Sequence, residues 1–134
     1  MANLTASRED SRKSDELVAY QVKASTTIYK GALVAVDSSG YAVPAVGTAV
    51  RVVGVAYETA NNSAGASGAI SVRVWRSGTY QFNTSGMAIT NVGAKVYVTD
   101  DNTVQLSATS TIQVGVITEF ISATSVRVAL TANA

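Results

Sequence analysis

The heptapeptide Gly93-Ala94-Lys95-Val96-Tyr97-Val98-Thr99 decides how the chain is read. Its valines stand two residues apart, with Lys95, Tyr97 and Thr99 on the alternate positions. That is the period of a strand with one buried face, because successive side chains of extended backbone point to opposite sides. The stretch has a counterpart earlier in the chain, Gly31-Ala32-Leu33-Val34-Ala35-Val36-Asp37. Two further pairs follow in the same order: Val53-Gly54-Val55 with Val114-Gly115-Val116, and Ser71-Val72-Arg73-Val74 with Ser125-Val126-Arg127-Val128. The offset narrows across residues 59–68, a segment rich in Gly, Ala, Ser and Asn that the second copy lacks.

Three ordered blocks predict a pseudo-twofold β repeat, with halves at about 30–78 and 92–130. The paired valines should face inward and Arg73 and Arg127 outward. The glycine inside each Val-Gly-Val block marks a bulge or a close backbone approach.

Working outward, the same alternation begins at Leu17, with Val18, Tyr20 and Val22 on one face. Strands are expected at 33–37, 41–43, 50–57, 69–76, 79–83, 95–99, 104–106, 112–120 and 125–130. Turn sequences such as Asp37-Ser38-Ser39-Gly40 and Asp100-Asp101-Asn102 separate them. Only residues 85–92 have some helical potential. The expected fold is all-β, a small barrel or sandwich with an internal two-fold repeat, as one domain over 17–134.

Before that domain the composition changes. Arg8, Glu9, Asp10, Arg12, Lys13, Asp15 and Glu16 crowd together, with no large apolar residue between Ala6 and Leu17. A helix there would have no face to bury, so residues 1–16 read as a flexible, solvated arm. Ser7 and Asp10 loosely fit a capping box, so a short helix could form against a partner. A tail without a role is the plainer reading of the same residues.

Composition narrows the chemistry. The chain has 134 residues, 47% hydrophobic and only 14% charged, with a formal net charge of +1. Such a balance carries no electrostatic footprint for nucleic acid or an anionic membrane. His and Cys are both absent, which removes the commonest general base, the thiol nucleophile and the usual transition-metal ligands. Beyond the arm the acids are Asp37, Glu58, Asp100, Asp101 and Glu119. Asp37, Asp100 and Asp101 fall where turns need them, and Asp100-Asp101-Asn102 lacks the ligand spacing of a calcium loop. We therefore expect no catalytic residue, metal site, cofactor or small-molecule substrate. No apolar run is long enough to span a membrane, and 1–16 lacks the apolar stretch of a secretion signal.

Tyr57, Arg73, Trp75, Arg76, Tyr80 and Phe82 supply the one cluster of bases and aromatics. Without a surplus of positive charge it reads as core aromatics plus solvated arginines. Trp75 has the parity of Ser71 and Arg73, opposite to Val72 and Val74. Facing outward, Arg73 and Trp75 have the composition of an oligomer interface. A bulge returning Trp75 to the core is the equal alternative.

The order of the polar arm, Lys30-Gly31-Ala32-Leu33-Val34-Ala35-Val36, Val53-Gly54-Val55-Ala56 and Ser71-Val72-Arg73-Val74-Trp75-Arg76-Ser77-Gly78 resembles small phage capsid decoration, or cement, proteins. Val92-Gly93-Ala94-Lys95-Val96-Tyr97-Val98 and Val114-Gly115-Val116 are the strongest part of the likeness, which runs from Ile28 to Leu130. The resemblance implies a non-enzymatic β protein that is made in the host cytoplasm and placed on the capsid exterior. There it would bridge major capsid protein subunits, usually as a homotrimer, with the arm on the lattice. Two other classes compete: a tail-fibre or carbohydrate-binding β module, and a self-assembling bacterial surface subunit.

Overall fold

A computed structural model describes residues 2–3, 5–8, 16–46, 48–108 and 112–130. Of the charged arm residues only Arg8 and Glu16 are among these; Glu9, Asp10, Arg12, Lys13 and Asp15 lie outside the described residues. The first part of the chain forms β1 (Leu17–Gln21), β2 (Thr26–Ile28), β3 (Leu33–Val36), β4 (Ala42–Pro44), β5 (Arg51–Ala56), β6 (Ala60–Asn62) and β7 (Ser71–Trp75). The second forms β8 (Thr79–Asn83), β9 (Lys95–Asp100), β10 (Thr103–Gln105), β11 (Gln113–Ser122) and β12 (Ser125–Leu130). A short 3-10 turn, Ile89–Asn91, falls inside the segment with helical potential.

The fold is all-β. One sheet has the order β1-β7-β5-β3-β4, and a closed barrel has the order β10-β8-β12-β11-β9. Read from β8, the barrel repeats the sheet strand for strand, with β8, β9, β10, β11 and β12 in the places of β1, β3, β4, β5 and β7. Registers agree as well. Val34 pairs with Gly54 as Val96 pairs with Gly115, and Ala35 with Val52 as Tyr97 with Gln113, each set with a register shift at the same step. Loop hydrogen bonds agree too: the Gly31 N–H donates to the Ala56 carbonyl (3.0 Å) as the Gly93 N–H does to that of Ile117 (2.8 Å). The barrel closes by a parallel pair, Thr103 with Asn83, and the sheet has an isolated parallel bridge, Val22 with Ala42. We propose that the chain is two copies of one β unit, reaching back beyond the sequence blocks to include β1 and β8.

Val34, Val36, Val72 and Val74 are buried, as are Val96, Val98, Val126 and Val128. The two cores are completed differently. In the first unit the ribbon β2–β6, without a counterpart among the described residues of the second, contributes Ile28 and Ala60. Asn62 anchors that ribbon. Its side-chain amide donates to the carbonyls of Val22 (3.2 Å), Lys23 (3.0 Å) and Ala66 (2.9 Å). In the second unit the core takes in Leu33, Ala35, Val52 and Val55 from the reverse side of β3 and β5. Those strands are therefore buried on both faces, whereas β9 alternates. The places corresponding to Leu33, Ala35 and Val52 are held by Lys95, Tyr97 and Gln113, none of them buried.

Turn chemistry follows the acids. Asp37 accepts from the backbone N–H groups of Ser39 (2.9 Å) and Tyr41 (3.0 Å), and Asp100 from that of Asn102 (2.9 Å). These carboxylates close hairpins by mimicking a backbone turn.

Candidate functional site

Alternation along β7 sends Val72 and Val74 into the core and leaves Arg73 exposed and Trp75 half-buried. Trp75 thus keeps its outward parity, and no bulge turns it in. It pairs with Val55 of β5, and the next residues of that strand's exit, Tyr57 and Glu58, lie beside Arg73 and Trp75. The rings of Tyr57 and Trp75 meet edge to face, with centroids 5.2 Å apart and planes at 77°. The Arg73 guanidinium lies over the Tyr57 ring, 4.9 Å from its centroid. Stacking of this kind fixes both aromatics while leaving them at the surface.

Glu58 holds Arg73 in place. Arg73 donates through Nε to Oε2 and through Nη2 to Oε1, both at 2.9 Å, and its backbone N–H reaches Oε2 at 3.0 Å. The guanidinium and then the backbone N–H pull the Glu58 carboxyl from 4.5 down to about 2. Because the folded value is depressed, the pair's contribution is complete above pH 4.5 and is lost as pH falls toward 2. A carboxyl-selective NMR titration should show Glu58 as a low-pH outlier in the native protein. In Arg73→Ala its midpoint should return toward 4.5; an unchanged midpoint would mean that the guanidinium is not the cause.

The second unit carries the same ion pair, Arg127 with Glu119 at 3.4 Å, but not the aromatics. The registers place Thr118 where the first unit has Tyr57 and Ala129 where it has Trp75. The β unit therefore forms without an aromatic at either place.

Beside Trp75 lies a depression of about 470 Å³ lined by Lys30, Gly31, Val55, Ala56, Tyr57, Trp75 and Tyr80. A second, of about 290 Å³, adjoins it at Lys30 and Gly31 and extends past Tyr29 to Asp101 and Asn102. Together they make an open groove at the junction of the two units. Tyr80 donates its hydroxyl to the Ser77 carbonyl (2.7 Å), and its phenol is raised by burial and then by the Glu16 carboxylate. Burial, then the neighbouring Asp100, raises Asp101.

Glu16 connects this face to the arm. Its carbonyl accepts from the Arg76 N–H at 2.9 Å, and Leu17 pairs with Trp75. The structure thus places Glu16 beside Arg76, next in the chain to Trp75, while Arg8 is exposed and Glu9 to Asp15 lie outside the described residues. Sequence reading missed Lys30, Tyr57 and Tyr80 as members of the face. Tyr57 and Tyr80 group with Trp75 in sequence but read as core, and Lys30 stands apart from them; only Tyr80 is brought in by the second unit. Among the described residues no group of His, Cys, Asp or Glu is arranged to hold a metal ion. No helix among them is long and apolar enough to cross a membrane.

Fold and site together define a small all-β protein, a five-stranded sheet with a closed barrel, whose distinctive surface is an aromatic face. The chain belongs to the phage cement protein family, whose pattern matches residues 12–132. That family is one of structural proteins of the phage capsid. No curated protein and no solved structure matches the chain.

Proposed function

We propose that the chain binds the outer surface of an assembled phage head and stabilises it by bridging neighbouring major capsid protein subunits. Membership of the phage cement protein family over residues 12–132 carries this reading. A contact face set on a rigid double β unit suits the task. Such a protein works by adhesion, without catalysis, cofactor or small-molecule substrate. Bridging calls for more than one contact, and we assign it to a homotrimer, since closed rotation reuses one small patch three times. The place of action is the capsid exterior, after synthesis in the host cytoplasm.

The arm, with Arg8, Glu9, Asp10, Arg12, Lys13, Asp15 and Glu16, is the proposed lattice contact. Mixed charges set register and partner choice more than raw affinity, and three arms on one trimer add avidity. A chain starting at Ser14 is expected to lose tight attachment to heads while its unfolding midpoint stays within a few degrees of full length. Co-sedimentation with heads at two salt concentrations measures the first and thermal unfolding the second. Equal binding by both chains would reduce the arm to a tail.

The half-buried Trp75 and exposed Tyr57 also suit a carbohydrate-binding module, because sugar sites stack on such rings. Binding to a glycan array, with no affinity for heads, would favour that reading.

A further inference from the structure

The two β units provide a control within one molecule. They share strand order, registers, the Val-Gly-Val glycine and the outward Arg–Glu pair. Apart from Leu33, Ala35 and Val52, whose changes follow from packing into the second core, they part at Tyr57 and Trp75, which stand where the second unit has Thr118 and Ala129, and at Lys30, where it has Val92. Thr and Ala satisfy the same backbone in the second unit, so the β unit by itself does not require the aromatics. Two rings held half-exposed by a guanidinium clamp have another use.

We propose that this groove seats an extended segment of the capsid protein, one that places an apolar side chain among Tyr57, Trp75 and Tyr80 and a carboxylate on Lys30. The proposal rests on the capsid-binding reading. Charge identifies the occupant. Arg73 is already neutralised by Glu58, with two guanidinium hydrogen bonds of 2.9 Å. Lys30 is exposed and has no ion pair among the described residues. It belongs to both halves of the groove, so the cation free to meet a partner lies at the centre. Gly31, with no side chain, keeps the floor open beside it. An open, aromatic-walled channel of this kind suits extended peptide, whose alternate side chains enter successive hollows.

Location points to the same partner. Glu16, the last residue of the arm, is hydrogen-bonded to Arg76 at the end of the strand that carries Trp75. A partner gripped by the arm is therefore presented to the groove. This moves the expected role of Arg73 and Trp75 from contact between copies to contact with the capsid. Arg73 acts as a positioning residue for Tyr57.

The test uses the full chain, undecorated expanded heads of the phage that encodes it, and two variants. Tyr57→Thr with Trp75→Ala transplants the second unit's residues into the first, and Lys30→Glu reverses the central charge. Both should stay folded and keep the oligomeric state of the native chain. Each should bind heads at least about tenfold more weakly, the loss typical of an interface anchor. Lys30→Arg should retain binding. If the double variant fails to fold, Tyr57→Thr alone and Lys30→Glu decide the matter, since both positions are exposed. Native binding by the variants would overturn the groove assignment and leave the capsid reading standing. Loss of self-association in light scattering would overturn it in favour of a second copy. Unchanged head binding with loss of a glycan-array signal would overturn it in favour of sugar. Failure of the native chain itself to bind heads would instead sink the capsid reading.

Discussion

Gly115→Ala is expected to destabilise the protein by about 3 kcal/mol, the upper end for forcing a methyl into a packed site. A Cβ at Gly115 would collide with the carbonyl oxygen of Ala129, and it would meet the Leu130 Cα at 3.2 Å. Neither is the movable tip of a flexible side chain. Both belong to the β12 backbone, paired with β11 on one side and β8 on the other, so yielding would disturb two ladders. Gly54 occupies the same place in the first unit. Its Cβ would meet the Trp75 carbonyl oxygen and Val74 Cγ1, the latter at 2.7 Å, and its φ of +151° adds backbone strain. Gly54→Ala should therefore cost as much or more. Urea unfolding would measure both, and native midpoints would show that the strands can part to admit a methyl.

Leu33→Ala is the second large effect, about 3–4 kcal/mol for a fully buried leucine whose site cannot collapse. Leu33 is 0% exposed and lies among the side chains of the second unit's core. Its backbone is tied across the same junction, because its N–H donates to the Asp101 carbonyl at 2.8 Å. Truncation should thus loosen the seam between units as well as leave a cavity. Hydrogen exchange should report the junction amides as losing protection, with the unfolding midpoint falling. Its counterpart Lys95 is exposed, so Lys95→Ala should leave stability nearly unchanged. Equal effects at the two positions would mean that Leu33 does not plug the second core.

Much of this was legible from residue order. Alternation about Val96 and Val98 identified the strands, and the paired blocks fall on strands with matching registers, Val34 with Gly54 and Val96 with Gly115. The Val-Gly-Val glycines lie at register shifts, as a close backbone approach requires. The apolar runs Leu33–Val36 and Val52 to Ala56 carry the mark of two-sided burial, which parity alone does not show. β2 and β6 escaped notice because three residues give no periodicity, and Ala60-Asn61-Asn62 is poor in strand formers. Asn62 earns its place by three hydrogen bonds from one amide, which no local pattern reveals. Trp75 was visible through parity. Tyr57 and Tyr80 group with it in sequence as core aromatics, and their place at the surface shows only in the fold, where Lys30 joins them and Tyr80 arrives from the second unit.

The way the two cores are completed also governs how many units there can be. A first unit that plugs a second could in principle be plugged by a third, and head-to-tail stacking of that kind has no natural end. Here both ends are stopped. At one end the β2–β6 ribbon fills the first core with residues of its own, leaving no vacancy for another molecule's β3 and β5. At the other, Lys95, Tyr97 and Gln113 replace Leu33, Ala35 and Val52, so the face that would enter the next core is too polar to desolvate. Head-to-tail growth through this contact is thereby opposed at both ends, by the ribbon at one and by Lys95, Tyr97 and Gln113 at the other.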